Sequence, residues 1–169
     1  QSIPLKDLLN IYENKLEDIY ACNINQGNSN IPAFSCPQKN ILSSNIKVGT
    51  PKVLIPAFPG TNCEYDTAKV FADAGAKPEI FVINNLTSER VARSVEEFAE
   101  KINESQIIFI PGGFSGGDEP DGSGKFITAF FRNPAIKEAV TRLLEKRDGL
   151  MGGICNGFQA LIKLGLVPF

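Results

Sequence analysis

From Pro51 onward, short unbroken apolar runs alternate with longer stretches whose apolar residues recur every three or four positions. That pattern predicts strands alternating with helices. The predicted strands are Lys52 to Ala57, Pro78 to Ile83, Gln106 to Ile110 and Leu150 to Ile154. The helices between them cover Asp66 to Ala74, ending at Gly75, and a long stretch capped by Thr87 or Ser88 that runs to about Asn103. Val91, Val95, Phe98, Ala99 and Ile102 share one face of the long helix. Two more helices follow, Lys125 to Phe131 and a stretch capped by Asn133, with Pro134 in its first position, that ends at Gly149. A last helix, Asn156 to Leu164, has Phe158, Leu161, Ile162 and Leu164 at helical spacing and stops at Gly165. Ile107 to Ile110 is apolar at every position, as expected of a strand covered on both faces. The alternation implies a mostly parallel sheet wound with helices on both sides, and ligands of such sheets bind beyond the carboxyl ends of the strands.

Upstream the pattern changes. Ile3 to Tyr20 sets Leu5, Leu8, Leu9, Ile11, Tyr12, Leu16 and Ile19 among charged residues, which predicts an amphipathic helix with a break near Asn14, packed on this or a neighbouring domain. From Ala21 to Thr50, Asn, Ser, Pro and Gln dominate without periodicity, as in a linker that wraps a surface. The expected division is therefore a leader of helix and linker, residues 1–50, and a compact part, residues 51–169.

Composition narrows the classes of function. At 169 residues with 43% hydrophobic and 21% charged, the chain has enough apolar content for one proper core. A net charge of −2 offers no footprint for nucleic acid or an anionic membrane. No apolar run has the length of a membrane span, and no signal peptide is visible. The four cysteines, Cys22, Cys36, Cys63 and Cys155, lack metal-type spacing and the chain has no histidine, so no metal site is expected. Reduced thiols in a cytoplasmic protein account for them. Asp118, Glu119 and Asp121 read as a solvated acidic loop, and Cys63 is assigned only a structural role.

The chemistry concentrates in Met151-Gly152-Gly153-Ile154-Cys155-Asn156-Gly157-Phe158-Gln159, at the junction of the last predicted strand and helix. Gly153 and Gly157 stand two residues either side of Cys155, where an abrupt strand-to-helix turn crowds out Cβ atoms. Cys155 would then be a strained, exposed nucleophile at a helix N-terminus, where N–H groups and the helix dipole favour thiolate over thiol. The Asn156 N–H would steady an oxyanion formed when that thiolate attacks a carbonyl. A buried structural cysteine in a Gly-rich turn is the alternative.

A second candidate is the segment Gly112 to Gly124, with six glycines that let backbone N–H groups approach a ligand. A phosphate-binding loop fails on detail, because Phe126 follows Gly124-Lys125 and Glu119 stands where that motif has glycine. A flexible surface loop remains open. All these segments follow predicted strands, which places Thr61, Gly113 and Cys155 on one rim of the sheet.

Gly153-x-Cys155-x-Gly157-x-Gln159 resembles the nucleophile motif of class I glutamine amidotransferases, whose cysteine attacks the side-chain amide of glutamine and releases ammonia. Phe58-Pro59-Gly60-Thr61-Asn62-Cys63-Glu64-Tyr65-Asp66 and Pro111-Gly112-Gly113-Phe114-Ser115-Gly116-Gly117-Asp118 resemble one branch of that class, the glutaminase domain of phosphoribosylformylglycinamidine synthase, a purine-biosynthetic enzyme. The likeness covers roughly Pro51 to Phe169, and the leader is similar to the region joining synthetase and glutaminase parts. It departs at Gly116, where many members carry an aromatic residue. The resemblance implies a flavodoxin-like three-layer α/β/α sandwich with a mostly parallel sheet, incomplete at the C-terminus. It implies that Cys155 forms a γ-glutamyl thioester, that Gly113 is the oxyanion donor opposite Asn156, and that Gly112, Phe114 and Gln159 bind glutamine. It also implies a conformationally important turn at Asn62 and Cys63. No cofactor is expected in these residues. ATP and Mg belong to a synthetase domain, expected on the same polypeptide, which receives the ammonia.

One requirement is unmet within the chain. Proton delivery to leaving ammonia and activation of water normally fall to a histidine oriented by a carboxylate, and the chain has no histidine. In the class these two residues come after the nucleophile. The chain also opens at Gln1 without methionine and stops at Phe169, so it is expected to be a piece of something larger and inactive as a glutaminase by itself. Two other readings stay open: a glutaminase domain of another amidotransferase or a cysteine hydrolase of the same fold, and a non-catalytic docking or regulatory module.

Overall fold

A computed structural model describes residues 2–21, 45–114 and 124–167. Most of the expected linker, with Cys22 and Cys36, lies outside the described residues. So does residues 115–123 of the Gly-rich segment, including Gly116, Asp118, Glu119 and Asp121. The chain forms two compact units, residues 1–41 and 42–169.

In the first unit, α1 spans Leu5–Asn14. The break expected near Asn14 falls there: hydrogen-bonded turns continue to Tyr20, whose N–H donates to Leu16 O at 2.7 Å. Asn14 Nδ2 turns back to Asn10 O at 2.9 Å, a local bond that competes with helix continuation.

The second unit contains β1 (Lys52–Ala57), α2 (Glu64–Asp73), β2 (Lys77–Val82), α3 (Ser88–Glu104), β3 (Ile107–Ile110), α4 (Lys125–Phe131), α5 (Pro134–Lys146), β4 (Leu150–Gly153) and α6 (Asn156–Lys163). The strands pair in the order β2-β1-β3-β4, every pair parallel. This is the first part of the flavodoxin-like 2-1-3-4-5 order. Ala57 lies opposite Val82 and Ile110 opposite Gly153, so the strands end on a common rim.

Side chains alternate between the faces of a strand, and this sorts the helices into layers. Phe109 meets Phe71 of α2, ring centroids 5.1 Å apart. Its neighbours Ile108 and Ile110 point the other way, into a core shared with Phe98 of α3, Phe130 of α4, Leu143 of α5 and Leu161 of α6. Helices therefore cover both faces of the sheet. At the centre of the larger core Phe98, fully buried, lies 5.4 Å from Phe81 and from Phe130 and 5.7 Å from Phe131. These are separations at which edge-to-face rings attract beyond simple burial.

The caps follow the expected chemistry. Thr87 Oγ1 accepts from Arg90 N at 3.3 Å and Asn133 Oδ1 from Ala135 N at 3.0 Å, each satisfying a helix-start N–H. Several boundaries shift by a single residue, as at β2, β3 and β4, and two shift further. Helix α2 starts at Glu64 because Cys63 takes a left-handed φ of 66° and turns the chain into the helix early. Helix α5 stops at Lys146, short of Gly149, and the left-handed residue is Asp148. Gly149 is needed for space: a Cβ there would lie 2.3 Å from Leu143 Cδ1. Arg147, which carries no sequence signal, donates to Ile102 O at 2.9 Å and Ser105 O at 2.8 Å, closing the C-terminus of α3.

One buried group in this core is unsatisfied. Thr128 Oγ1 finds no hydrogen-bond partner among the described residues. Replacing it with the near-isosteric Thr128→Val is expected to raise the urea midpoint, by about 1 kcal/mol in unfolding free energy. A lowered midpoint would show that the hydroxyl is bonded.

Candidate active site

The strand-to-helix junction has the crowding that the glycine spacing implied. A Cβ on Gly153 would lie 2.8 Å from the carbonyl carbon of Gly157, and one on Gly157 would lie 2.2 Å from Ile110 O. Between them Cys155 caps α6 with φ 53° and ψ −110°, a sparsely populated conformation for a residue with a side chain. The turn is held by Ile154 N to Ile110 O at 3.1 Å, Gly157 N to Ile154 O at 2.9 Å and Gln159 N to Cys155 O at 2.9 Å. Cys155 is a free thiol and exposed, unlike the buried cysteine of the alternative reading. Asn156 is the first residue of α6, at the end where backbone N–H groups point out of the helix.

The segment after β3 lies directly against this turn. A Cβ on Gly112 would stand 3.3 Å from Cys155 Cβ, so a side chain there would press on the cysteine. Gly113 takes φ 140°, and a Cβ on it would meet Gly60 O at 2.3 Å. It therefore needs to be glycine for both conformation and space.

The loop after β1 supplies that close neighbour. Phe58-Pro59-Gly60-Thr61 is a tight turn, Thr61 N donating to Phe58 O at 2.9 Å with Gly60 at φ 86°, the arrangement that favours Pro then Gly at the two central positions. Thr61 bridges Gly113 in antiparallel fashion, through Asn62 N to Gly112 O at 2.9 Å and Phe114 N to Gly60 O at 2.8 Å.

Gly112, Gly113, Gly153, Cys155, Asn156 and Gly157 thus come together at the rim, with the Thr61 turn beside them. Phe114 follows on the same segment, its ring exposed. Gln159 lies one turn along α6, and its Oε1 accepts from Asn156 Nδ2 at 3.2 Å. The asparagine side chain, buried beside an exposed cysteine, is a part of the site that sequence reading left out; its residue type at a helix start gave the backbone role alone. The bonds between Thr61–Asn62 and Gly112–Phe114 were equally invisible, being backbone contacts between distant segments.

The CobB/CobQ-like glutamine amidotransferase domain matches residues 50–169, and the chain belongs to that family. A phosphoribosylformylglycinamidine synthase subunit PurQ of Dehalococcoides mccartyi is 38% identical over 117 residues, 69% of this chain and 41% of that protein. The subunit PurQ of Methanococcus maripaludis (strain C7) is 39% identical over 123 residues, 72% of this chain and 40% of that protein. These relatives bear out the likeness to the glutaminase part of phosphoribosylformylglycinamidine synthase. The matches span only 41% and 40% of the lengths of these curated relatives. A solved structure of PurLQS from Thermotoga maritima aligns with a TM-score of 0.48 and 26% identity, covering 70% of this chain and 46% of that one.

The crowding at the turn has a measurable consequence. Gly157→Ala is expected to lower stability by about 3 kcal/mol, since its methyl group would run into the Ile110 carbonyl of β3. Gly75→Ala, strained at φ 87° but with open space around it, should cost only about 1 kcal/mol. Urea midpoints of the two variants compare them, and equal losses would contradict the close approach of α6 to β3.

Proposed function

We propose that this chain is the nucleophile-bearing part of the glutamine-hydrolysing, ammonia-producing domain of a phosphoribosylformylglycinamidine synthase. The observation that supports this most directly is the strained, exposed Cys155 at the start of α6 with the Gly112–Gly113 segment against it. In this reading the Cys155 sulfur attacks the side-chain amide carbon of glutamine. The oxyanion is steadied by the Asn156 and Gly113 N–H groups. Collapse of the tetrahedral intermediate breaks the carbon–nitrogen bond, releases ammonia and leaves a γ-glutamyl thioester on Cys155. Water then cleaves the thioester to glutamate and frees the thiol. Gly112, Phe114 and Gln159 hold the substrate, with Asn156 Nδ2 fixing the Gln159 amide from one side.

The chain has no histidine to move protons in this reaction, and in this reading the chain by itself is inactive in steady-state glutamine hydrolysis. In the intact enzyme, ammonia passes to a synthetase part, where ATP with Mg activates the formamide oxygen of formylglycinamide ribonucleotide and ammonia converts it to the amidine. No residue here is assigned to ATP or Mg. Among the described residues, no helix is long and apolar enough to cross a membrane. The reading places the enzyme in the cytoplasm.

Two measurements test it. A glutamine analogue that alkylates amidotransferase cysteines should add once to the intact protein, on Cys155, and not at all to Cys155→Ala. An adduct on Cys63 in place of Cys155, or glutamine turnover that survives Cys155→Ala, would refute the assignment. The 169-residue chain alone should turn over no glutamine above the buffer rate; turnover at the rate of the intact enzyme would refute the assignment of the proton-transfer groups.

A further inference from the structure

The turn that braces the Gly112–Gly113 peptide is itself closed by a side chain. Thr61 Oγ1 accepts from Phe58 N at 2.9 Å, while Thr61 N donates to Phe58 O at 2.9 Å. Both ends of the Phe58–Thr61 turn are thereby tied, one through the backbone and one through the hydroxyl. Phe58 is buried, its ring 5.4 Å from Phe130 and 6.5 Å from Phe131, so the turn is anchored in the core. From this anchor Gly60 O and Asn62 N reach the other loop, bonding Phe114 N at 2.8 Å and Gly112 O at 2.9 Å.

The bond to Gly112 O sets a direction. In a trans peptide the C=O and the N–H of the next residue point opposite ways. With Gly112 O held on Asn62 N, the Gly113 N–H points away from the turn, and it donates to no group among the described residues. The neighbouring Phe114 N–H is taken up by Gly60 O and is not free to act as the donor. The orientation of a single peptide plane, beside Cys155, thus depends on how firmly the Thr61 turn is closed.

We infer that the Thr61 hydroxyl is a positioning group: by closing the Phe58–Thr61 turn it holds the Gly112–Gly113 peptide with the Gly113 N–H directed at the oxyanion. This rests on the glutaminase reading above and deepens it. In this role Thr61 acts through the two backbone bonds that its neighbours Asn62 N and Gly60 O make to Gly112 and Phe114. Without the hydroxyl, Phe58 N loses its acceptor and the turn can relax, which lets the peptide plane rotate. An oxyanion donor that acts in the transition state affects turnover far more than substrate binding.

The test compares Thr61→Val, which keeps the shape and removes the hydroxyl, with Thr61→Ser, which keeps the hydroxyl, both in the intact protein. Thr61→Val should lower the glutaminase kcat by roughly 10- to 100-fold and leave KM for glutamine within about threefold, as expected when only transition-state stabilisation is lost. Thr61→Ser should recover kcat to within about threefold of the original, since the same bond is remade. Alkylation of Cys155 by iodoacetamide, which forms no oxyanion, should proceed at the same rate in all three proteins. An unchanged kcat in Thr61→Val, a loss that Thr61→Ser does not recover, or a parallel loss of iodoacetamide labelling would overturn the inference. Cys155→Ala separates the two levels. If it is inactive while Thr61→Val is not, only the role of Thr61 fails; if it keeps glutaminase activity, the reading beneath falls as well.

Discussion

Where α6 begins, the helix lies so near the end of β3 that a side chain on Gly157 would run into the Ile110 carbonyl. The arrangement of the rim follows from that approach. A chain leaving β4 in register with β3 must turn sharply to start a helix there, and Cys155 absorbs the turn in a conformation that residues with side chains seldom adopt. A strained residue persists only where its surroundings over-determine it. Here the surroundings are the three backbone hydrogen bonds of the turn and the burial of Ala160 and Leu161 one turn further on. In the proposed reaction the strain has a use, because it keeps the Cys155 thiol exposed on a backbone held by those hydrogen bonds.

The second level of organisation is the bracing of one loop by another. Loops at the end of a parallel sheet have no ladder of their own to satisfy their backbone groups. The segments after β1 and β3 solve this by bonding each other, with Gly113 at φ 140° so that the two strands of backbone can touch. The same contact brings Gly112 against Cys155. Phe58 ties the assembly to the aromatic core around Phe98, Phe130 and Phe131, so the rim is anchored in the packed interior. Catalytic groups on loops gain their precision from such support.

Much of this was legible in the order of residues. Strand β1 was read from Lys52 to Ala57 and helix α4 from Lys125 to Phe131, as observed. Residue type points to Asn133 as one cap and to Thr87 or Ser88 as another, and Thr87 and Asn133 are the residues that accept the helix-start N–H groups. The pairing of Gly153 with Gly157 around a cysteine announced a crowded turn before any distance was known. These signals are local: periodicity, capping chemistry and glycine spacing act between residues a few positions apart, where chain connectivity already limits the geometry. The misread boundaries mark the limit of that logic. Gly149 looked like a helix stop, yet its lack of a side chain accommodates Leu143, while Asp148 takes the left-handed turn and accepts from Asn45 N at 2.7 Å.

Local pattern along the chain specifies the elements, their alternation and hence the parallel α/β class, the cysteine at the strand-to-helix junction, and the family resemblance carried by three ordered motifs. Tertiary packing selects which loops touch at the rim, the Thr61 turn on Gly113 and Gly112 on Cys155, and it sets Arg147 on the end of α3 at the opposite ends of the strands. These contacts join segments far apart in the chain, and the Thr61–Gly113 bridge is made wholly of backbone atoms, which are the same in every residue and leave no mark in side-chain pattern. Their partners are selected by the register of the sheet and the packing of the helices on it, so they take shape only once the whole layer has assembled.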